Sequence, residues 1–460
     1  MKIIRLFISV LLLNITLQLY AQQTMPDSFE DRWWIATFED ALPPLNLTFS
    51  AGLPRLYSPM QSEQEMTPSK WSFANDTLRL SFNKLDLRFT LIWNDSSETF
   101  RGSLRQGLMK SDVFFSLSDG MYRLNRPQTP SKPYPYYEEE FVVVRKKEGV
   151  TLTGTLTIPH GKGPFPAVVL VSGSGQQNRD EEIMLHKPFL VLADYLTRHG
   201  IAVLRYDDRG VGGSTGDYVN ATTFDFADDA EAAFMKLRKD RRIDSRRIGI
   251  LGHSEGAAIA CIVASRNSKV SFAVMLGGQG CSGSEILLRQ NELLYLGQGV
   301  PQSLVNVRLD CMREIFRVVD SVKEENYVEV FRNIIASKTV GLSDDECKQI
   351  GMRRSDAILW AQQMQMPWMK AFLKLDNKDY LCKVRCPLLA IGGTKDVQVP
   401  PGNIALIARY TKGKAVTYIM PGLNHLLQHC TTGLPNEYML IEETMAPEVL
   451  TIISEWIGGL

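Results

Sequence analysis

The sequence predicts an α/β protein in which a doubly wound, mostly parallel sheet with an inserted helical cap follows a small antiparallel β domain. Its length of 460 residues exceeds one ordinary domain and suffices for two. The first part of the chain alternates apolar and polar residues, whereas the second alternates continuous apolar runs with helical patterns. The proline-rich stretch RPQTPSKPYPYY, residues 126–137, predicts a linker between them, since proline is excluded from helix interiors and central strands.

Residues 1–21 predict a signal peptide. Lys2 and Arg5 supply the positive charge, residues 6–13 form the apolar core, and Ala21 fits the cleavage site. An anchor helix is the alternative, but the apolar run is short for a membrane span and polar residues interrupt it. We therefore expect an exported protein, periplasmic or extracellular, in which no later apolar segment is long enough to cross a bilayer.

Residues 22–125 predict a small β-rich domain. In TLRLSF, alternation places Leu78, Leu80 and Phe82 on one face. In LDLRFTLIW, it places a second set on one face: Leu85, Leu87, Phe89 and Leu91. Short runs of this kind, separated by turn-forming residues, are typical of an antiparallel sheet. The region has no histidine, so we do not expect it to carry the chemistry.

Residues 138–460 predict the larger domain. A hairpin-like opening is followed by six apolar runs that predict strands, at 167–172, 201–207, 248–252, 272–277, 388–392 and 415–420. Helical patterns fall between them, and continuous apolar strands joined by helices indicate a parallel sheet covered on both faces. Between 283 and 380 the alternation stops and further helical patterns are inserted, which predicts a cap over the site.

Charge and cysteine content narrow the class of partner. Lys and Arg number 51, as do Asp and Glu, so the zero net charge gives no support for nucleic acid or an anionic membrane as partner.

The seven cysteines leave at least one thiol unpaired in an exported protein, because their number is odd. Cys382 and Cys386 lack a second Cys/His pair at zinc-site spacing, so we expect inert thiols, and neither a metal nor an organic cofactor.

The stretch GILGHSEGAAIA contains the candidate nucleophile. Ser254 lies between Gly252 and Gly256 in the spacing G-x-S-x-G, after a strand-like run and before a helix-like one. A serine at such a strand-to-helix turn projects its hydroxyl above the sheet, and flanking glycines make room for the turn. The alternative is a small residue in an ordinary tight turn, which the strand–turn–helix context disfavours.

A serine hydroxyl needs a base and an acid, which follow the nucleophile in this arrangement. Only two histidines follow Ser254: His425, in the turn-rich stretch MPGLNH after a strand, and His429, which we expect at the surface. Asp396 follows the strand-like LLAIGG and is the candidate acid. Two other carboxylates that precede this strand are less suitable, Asp376 and Asp379.

Two backbone N–H groups are expected to hold the oxyanion. One is the N–H of Glu255, the residue after the nucleophile. The other comes from the loop SGSGQQNRDE, where Ser174 is the first candidate and Gly175 the second. The glycine-rich stretch YDDRGVGGSTG lacks the G-x-G-x-x-G order of a dinucleotide site, so we expect Asp208 and Arg209 to tie that loop down.

With these residues in place, the chain resembles the α/β-hydrolase superfamily, and more closely the secreted bacterial EstD-like esterases. The resemblance rests on six segments: VSGSGQQNRDEE, LHKPFLVLADYL, IAVLRYDDRGVGGSTG, GILGHSEGAAIA, LLAIGGTKDVQVPP and MPGLNH. It implies a carboxylesterase with the triad Ser254, Asp396 and His425. Ser172 and Ala257 depart from the usual pattern, which has histidine and glycine there, and Ser172 affects the expected oxyanion loop.

We therefore expect an enzyme that hydrolyses small-molecule carboxylic esters with short acyl chains through an acyl-enzyme. A secreted serine peptidase acting on short peptides is the alternative, since similar triads serve peptidases. A degenerate hydrolase fold used only for binding is a second alternative, which the complete Ser–Asp–His set disfavours.

Overall fold

The computed structural model describes residues 25–36, 44–59, 62–107 and 109–460, and the predicted fold class is confirmed. The chain divides into two compact units, and the boundary along the chain lies between Asn125 and Arg126. The predicted signal peptide, residues 1–21, lies outside the described residues and stays a prediction. Within the described ranges, no helix combines the length and the hydropathy needed to cross a membrane.

The first unit is an antiparallel sheet in which nine strands are described. Their order across the sheet is β4-β3-β2-β1-β9-β8-β7-β6-β5, with every neighbouring pair antiparallel. The strands are β1 (Trp33–Ala36), β2 (Leu45–Ser50), β3 (Leu53–Ser58), β4 (Ser62–Met66), β5 (Lys70–Ala74), β6 (Thr77–Phe82), β7 (Leu87–Asn94), β8 (Thr99–Gln106) and β9 (Met109–Ser118).

The core of the first unit follows the alternation of its sequence, with one exception. Leu78, Leu80 and Phe82 of β6 are buried as predicted. The prediction that Leu85 shares the buried face of β7 is wrong, because Leu85 is 45% exposed. It ends a one-turn 3-10 helix, and Asp86 takes a left-handed φ of 44° before the strand starts at Leu87. The turn therefore breaks the two-residue period.

The second unit contains an eight-stranded mixed sheet with the order β10-β11-β13-β12-β14-β15-β16-β17. The β10–β11 and β11–β13 pairs are antiparallel, and the remaining pairs are parallel. The strands are β10 (Tyr136–Arg145), β11 (Val150–Pro159), β12 (Phe165–Val171), β13 (Ala202–Tyr206), β14 (Ile243–His253), β15 (Phe272–Leu276), β16 (Leu388–Gly393) and β17 (Ala415–Met420).

Helices cover both faces of this sheet, and seven form the cap between β15 and β16. Outside the cap lie α1 (Pro188–Arg198), α2 (Thr223–Leu237), α3 (Glu255–Arg266), α11 (Gly402–Tyr410) and α12 (Pro447–Gly458). The cap comprises α4 (Gly283–Gly297), α5 (Gln302–Val318), α6 (Tyr327–Lys338), α7 (Asp344–Gln349), α8 (Ala357–Gln365), α9 (Pro367–Lys374) and α10 (Lys378–Leu381).

Strand β12 shows why the apolar runs are continuous. Val169 and Val171 join the core beneath α2 and α3, whereas Val168 and Leu170 join the core beneath α1 and α12. Successive side chains point to opposite faces of a strand, so a strand covered on both faces must be apolar at every position. All parallel strands of a sheet end on one edge, which places the loops after β12, β14, β16 and β17 together.

The proline-rich stretch is not a free linker. The guanidinium of Arg126 donates to the carbonyl oxygens of Met184, at 2.9 Å, and Ile441, at 2.9 Å. The Gln128 amide donates to the carbonyl of Met445 at 2.7 Å. Strand β10 starts at Tyr136, so the last two residues of the stretch belong to the sheet. The sequence pattern detected the prolines but not these bonds, which tie the stretch to the second unit.

These bonds predict where the second unit can be cut from the first. A chain of residues 126–460 should melt cooperatively in calorimetry. A chain starting at Ser131 should melt several degrees lower, because each lost hydrogen bond costs on the order of 1 kcal/mol. Equal melting temperatures for the two chains would show that Arg126 and Gln128 do not stabilise the unit.

Candidate active site

Ser254 lies at a sharp turn between β14 and α3, with φ 55° and ψ −118°. The turn requires close backbone contact on both sides. A Cβ at Gly252 would lie 1.9 Å from the carbonyl oxygen of Gly256, and a Cβ at Gly256 would lie 2.1 Å from that of Val171. Neither position has room for a side chain, which explains the G-x-S-x-G spacing. The left-handed φ of Ser254 is the strain expected at a nucleophile elbow.

The loops after β16 and β17 bring an aspartate and a histidine to this serine. His425 Nε2 lies 3.0 Å from Ser254 Oγ, and His425 Nδ1 lies 2.9 Å from Asp396 Oδ2. With the proton on Nδ1, the ring donates to the carboxylate and accepts from the hydroxyl. Both His425 and Asp396 are buried. The three residues predicted from sequence thus form one hydrogen-bonded chain.

Asp396 is held by backbone donors on its other oxygen. The N–H groups of Gln398 and Val399 donate to Asp396 Oδ1 at 2.9 and 2.7 Å. These bonds leave Oδ2 for the imidazole, so the carboxylate fixes the ring orientation as well as its tautomer. Asp376 and Asp379 lie at the end of the cap, and neither bonds to His425.

His429 occupies a different environment. Its side chain is 55% exposed, and its ring nitrogens lie 3.0 Å from a carboxylate oxygen of Glu443 and 3.2 Å from one of Glu448. No bond joins it to Ser254 or Asp396. His429 therefore lies outside the hydrogen-bonded chain of Ser254, His425 and Asp396, and its substitution can serve as a control for that of His425.

The candidate oxyanion donors lie on two elements. Glu255 is the first residue of α3, so its N–H has no partner within the helix and lies at the positive end of the helix dipole. In the loop after β12, the N–H of Gly173 donates to Glu181 Oε1 at 2.6 Å. Within the described ranges no backbone carbonyl accepts a hydrogen bond from the N–H of Ser174 or from that of Gly175, so Ser174 stays the first candidate and Gly175 the second.

A second histidine–carboxylate pair supports these loops, and sequence reasoning missed it. His253 Nδ1 lies 2.9 Å from Glu181 Oε1, and His253 Nε2 lies 3.0 Å from the carbonyl oxygen of His425. Because Glu181 also holds Gly173, the pair joins the oxyanion loop, the elbow and the histidine loop. The acidic run Asp180–Glu182, close after the glycine-rich loop, was the only signal in the sequence.

The charge state of this pair follows from its surroundings. Burial lowers the pKa of His253, but the charge and hydrogen bond of Glu181 outweigh it. The carbonyl of His425 and the charge of Asp396 act in the same direction, and the pKa of His253 rises to about 9. His253 is therefore an imidazolium near neutral pH, with its ring centroid 4.8 Å from that of His425.

Two further buried carboxylates lie near the elbow, Asp208 and Glu255. Asp208 accepts from Ser172 Oγ at 2.9 Å and from the N–H of Gln177 at 3.1 Å, so Ser172 helps to hold the oxyanion loop. Burial, followed by smaller effects that include the charges of Glu181 and Glu255, raises the pKa of Asp208 to about 8. Arg209 pairs instead with Asp229 at 2.7 Å.

The side chain of Glu255 connects the elbow to the cap. Its Oε1 accepts from Thr223 Oγ1 at 2.6 Å and from Trp368 Nε1, on α9, at 2.7 Å. Burial raises the pKa of Glu255 above its usual range. The residue expected to supply an oxyanion donor is therefore also the residue that anchors α9.

A pocket of about 440 Å³ lies between the oxyanion loop and the cap. Its lining is uncharged and consists of Ser174, Gly175, Gln176, Tyr218, Val219, Ala221, Phe226, Met366 and Trp368. Among the residues that the structure describes, no group of three or more His, Cys, Asp or Glu side chains is arranged to hold a metal ion.

The Glu181–His253 pair predicts a pH-dependent stability. In Glu181→Gln, an acceptor oxygen remains but the charge is lost, so the free energy of unfolding should fall near pH 7 by on the order of 3 kcal/mol. The pair stabilises the fold fully below about pH 6.5 and loses this contribution as the pH rises through about 9. The deficit of the variant, measured by urea unfolding, should therefore shrink above pH 9.

Glu182→Gln is the matched control, because Glu182 is the next residue and lies 3.8 Å from Lys187 without bonding to His253. It should leave stability close to that of the parent at each pH. A Glu181→Gln deficit that stays constant from pH 6 to 10 would contradict an ionised pair.

Parts of the chain are similar to a protein family and to a named esterase. Residues 186–429 match the family described as serine aminopeptidase, S33. Over 149 residues the chain is 40% identical to esterase EstD of Thermotoga maritima, a match that covers 32% of this chain and 34% of EstD. The chain thus matches about a third of the length of that relative.

Two proteins with lower sequence identity to this chain are matched over a larger share of their length. The chain is 24% identical over 275 residues to an uncharacterized 31.7 kDa protein of Escherichia coli from the traX-finO intergenic region, covering 59% of this chain and 86% of that one. Among solved structures, proline iminopeptidase of Mycobacterium smegmatis is 14% identical with a TM-score of 0.43, covering 70% of this chain and 98% of that one.

The family match extends over more than half of the chain and includes the serine, the aspartate and the histidine that the structure brings together. The resemblance drawn from the sequence motifs is therefore confirmed: this chain belongs to the S33 serine aminopeptidase family of α/β hydrolases.

Proposed function

We propose that the protein is a serine esterase that hydrolyses carboxylic esters with short acyl chains through an acyl-enzyme intermediate. The observation that carries this proposal is the hydrogen-bonded chain Ser254–His425–Asp396 beside the uncharged pocket lined by Ser174 and Trp368, which we call the catalytic pocket. The similarity to EstD, an esterase, over a third of its length supports the same activity.

The geometry suits a two-step reaction. As Ser254 Oγ attacks the ester carbonyl, His425 Nε2 takes its proton and Asp396 stabilises the resulting imidazolium. The N–H groups of Glu255 and Ser174 hold the oxyanion, and the N-terminus of α3 adds its dipole. His425 then protonates the departing alcohol. Water, deprotonated by His425, hydrolyses the acyl-serine ester and releases the acid.

The pocket favours an ester over an aminopeptide substrate. An aminopeptidase must hold the α-ammonium of its substrate, which requires a carboxylate or several acceptors in the pocket. The pocket lining contains no carboxylate. The nearby buried carboxylates are already bonded within the protein: Glu181 to His253, Asp208 to Ser172, and Glu255 to Thr223 and Trp368. Peptide hydrolysis, which the family description raises, is therefore the alternative that the experiment decides.

The decisive experiment compares p-nitrophenyl acetate, butyrate and octanoate with aminoacyl p-nitroanilides on purified protein. We expect turnover of the esters and little of the anilides. Ser254→Ala and His425→Ala should each lower kcat at least about a thousandfold, and Asp396→Asn should follow them because it favours the wrong tautomer. Anilide hydrolysis with a kcat/KM equal to that of the esters would instead identify a peptidase.

His429→Ala is the matched control for His425→Ala. Because His429 is exposed and bonds only to Glu443 and Glu448, its removal should leave kcat near that of the parent. Similar losses in the two histidine variants, or substantial activity in folded Ser254→Ala, would contradict the assignment of the triad.

The uncharged pocket predicts a limit on acyl length. Ala221 lines the pocket and is 3% exposed, so Ala221→Leu should fill part of it. The ratio of octanoate to acetate kcat/KM should fall about tenfold or more, since a misplaced methylene costs 1–3 kcal/mol. Val219→Leu, at a lining position that is 60% exposed, is the control and should preserve the ratio. An unchanged ratio in Ala221→Leu would show that the acyl chain lies elsewhere.

A further inference from the structure

We propose that the cap contains a second ligand site, separate from the catalytic pocket, that binds an organic carboxylate with an apolar chain. The site is a cavity of about 400 Å³ among the cap helices. Apolar side chains form one part of its wall, with Met312, Phe316, Leu359 and Met364 among them, and polar side chains, including the carboxylate of Asp356, form the rest. We call this cavity the cap pocket.

The cap pocket is lined by a buried cation that has no anionic partner. Arg308 is only 9% exposed, yet in the described part of the chain no carboxylate oxygen lies within 4.0 Å of its guanidinium. The groups that it bonds are neutral: Nε and Nη2 donate to Asn291 Oδ1 at 3.0 and 2.7 Å, and Nη1 donates to the carbonyl of Ile350 at 2.6 Å. The charge of Asp356, which is paired with Arg353, acts on the guanidinium without a bond. Buried charges in proteins are normally paired, so an anion is the missing partner.

Aromatic rings hold the guanidinium in place. Its carbon lies 4.3 Å from the ring centroid of Tyr295 and 5.4 Å from that of Trp360. The three bonds to Asn291 and Ile350 use three of its five N–H groups and leave two, the number that a carboxylate accepts from arginine. A fixed, stacked guanidinium with two remaining donors is suited to a planar carboxylate.

The remaining charges of the cap pocket also favour an anion. Lys348, which is exposed, has no ion pair within the described ranges, and Arg353 is paired with Asp356 at 3.1 Å. One buried and one exposed cation are therefore left without a carboxylate partner. The apolar walls select against a small inorganic anion, which gains nothing from burying apolar surface.

The cap pocket and the catalytic pocket are distinct. Met366 and Trp368 line the catalytic pocket, whereas Met364 and Met369 line the cap pocket. The segment that joins α8 to α9 therefore stands between them, and none of the lining residues is shared. The proposal does not depend on which bond the catalytic site hydrolyses.

The test measures octanoate binding to the whole protein by calorimetry and by the fluorescence of tryptophan, since Trp360 lines the cap pocket. We expect saturable binding below about 5 mM. Octanol lacks the charge and inorganic phosphate lacks the chain, so neither should bind comparably. In Arg308→Gln the affinity should fall about ten- to a hundredfold, the effect of losing a charged hydrogen bond.

Three variants make the result specific. Lys348→Gln changes only an exposed side chain and should weaken binding severalfold even if Arg308→Gln fails to fold. Arg313→Gln, on the same helix but paired with Asp310 on the surface, should have no effect. Ala221→Leu should also have no effect, because it changes the catalytic pocket alone.

Several outcomes would overturn the proposal. They are the absence of saturable octanoate binding to the folded parent, and undiminished binding in Lys348→Gln or in folded Arg308→Gln. Phosphate binding as tight as octanoate would show a simple anion site rather than one for an organic acid. Loss of binding in Ala221→Leu would place the octanoate in the catalytic pocket.

Discussion

The close contact between the start of α3 and the ends of β12 and β14 is the constraint on which the site depends. Because Gly252 and Gly256 carry no side chains, the helix begins almost in contact with the carbonyl of Val171. Beside this contact Ser254 has a positive φ of 55° with ψ −118°, a strained backbone that costs on the order of 1–3 kcal/mol. The helix that follows is rich in alanine and buried from Glu255 to Ala264, and its packing offsets that cost. The same contact places the first N–H of α3 beside the loop after β12.

Electrostatics then hold three loops around this turn. Glu181 bonds both to Gly173 and to His253, and His253 bonds to the carbonyl of His425. When His425 accepts a proton, two imidazolium rings lie 4.8 Å apart. Glu181 and Asp396 each bond to one of these rings, so two carboxylates balance two cations. In the proposed reaction the cluster therefore has one carboxylate in excess while His425 is neutral, and the proton that His425 accepts brings its net charge to zero.

Local sequence patterns predict the positions of some residues of the site but not of others. Ser254, Asp396 and His425 each come at or shortly after the carboxyl end of an apolar strand, so the periodicity that predicts the sheet also predicts that they meet at one edge. Glu181 and His253 are 72 residues apart, and Glu255 and Trp368 are 113 apart. Such pairs depend on the packing of whole elements, which no short pattern contains. The prediction that Leu85 is buried was wrong for a local reason, because the left-handed conformation of Asp86 interrupts the alternation of apolar and polar residues.

In the proposed esterase, α9 connects the pocket for the acyl chain with the expected oxyanion donor Glu255. Trp368 Nε1 donates to Glu255, while its ring stacks on Phe372 at 5.0 Å and lines the catalytic pocket. Removing this indole would widen the pocket and also free the carboxylate of the residue expected to stabilise the oxyanion. Its effects on binding and on the chemical step therefore cannot be separated. The apolar side chains of Val219 and Ala221 line the same pocket and make no hydrogen bond to Glu255, so in the proposed esterase substitutions there change the acyl size without breaking a bond to that donor residue.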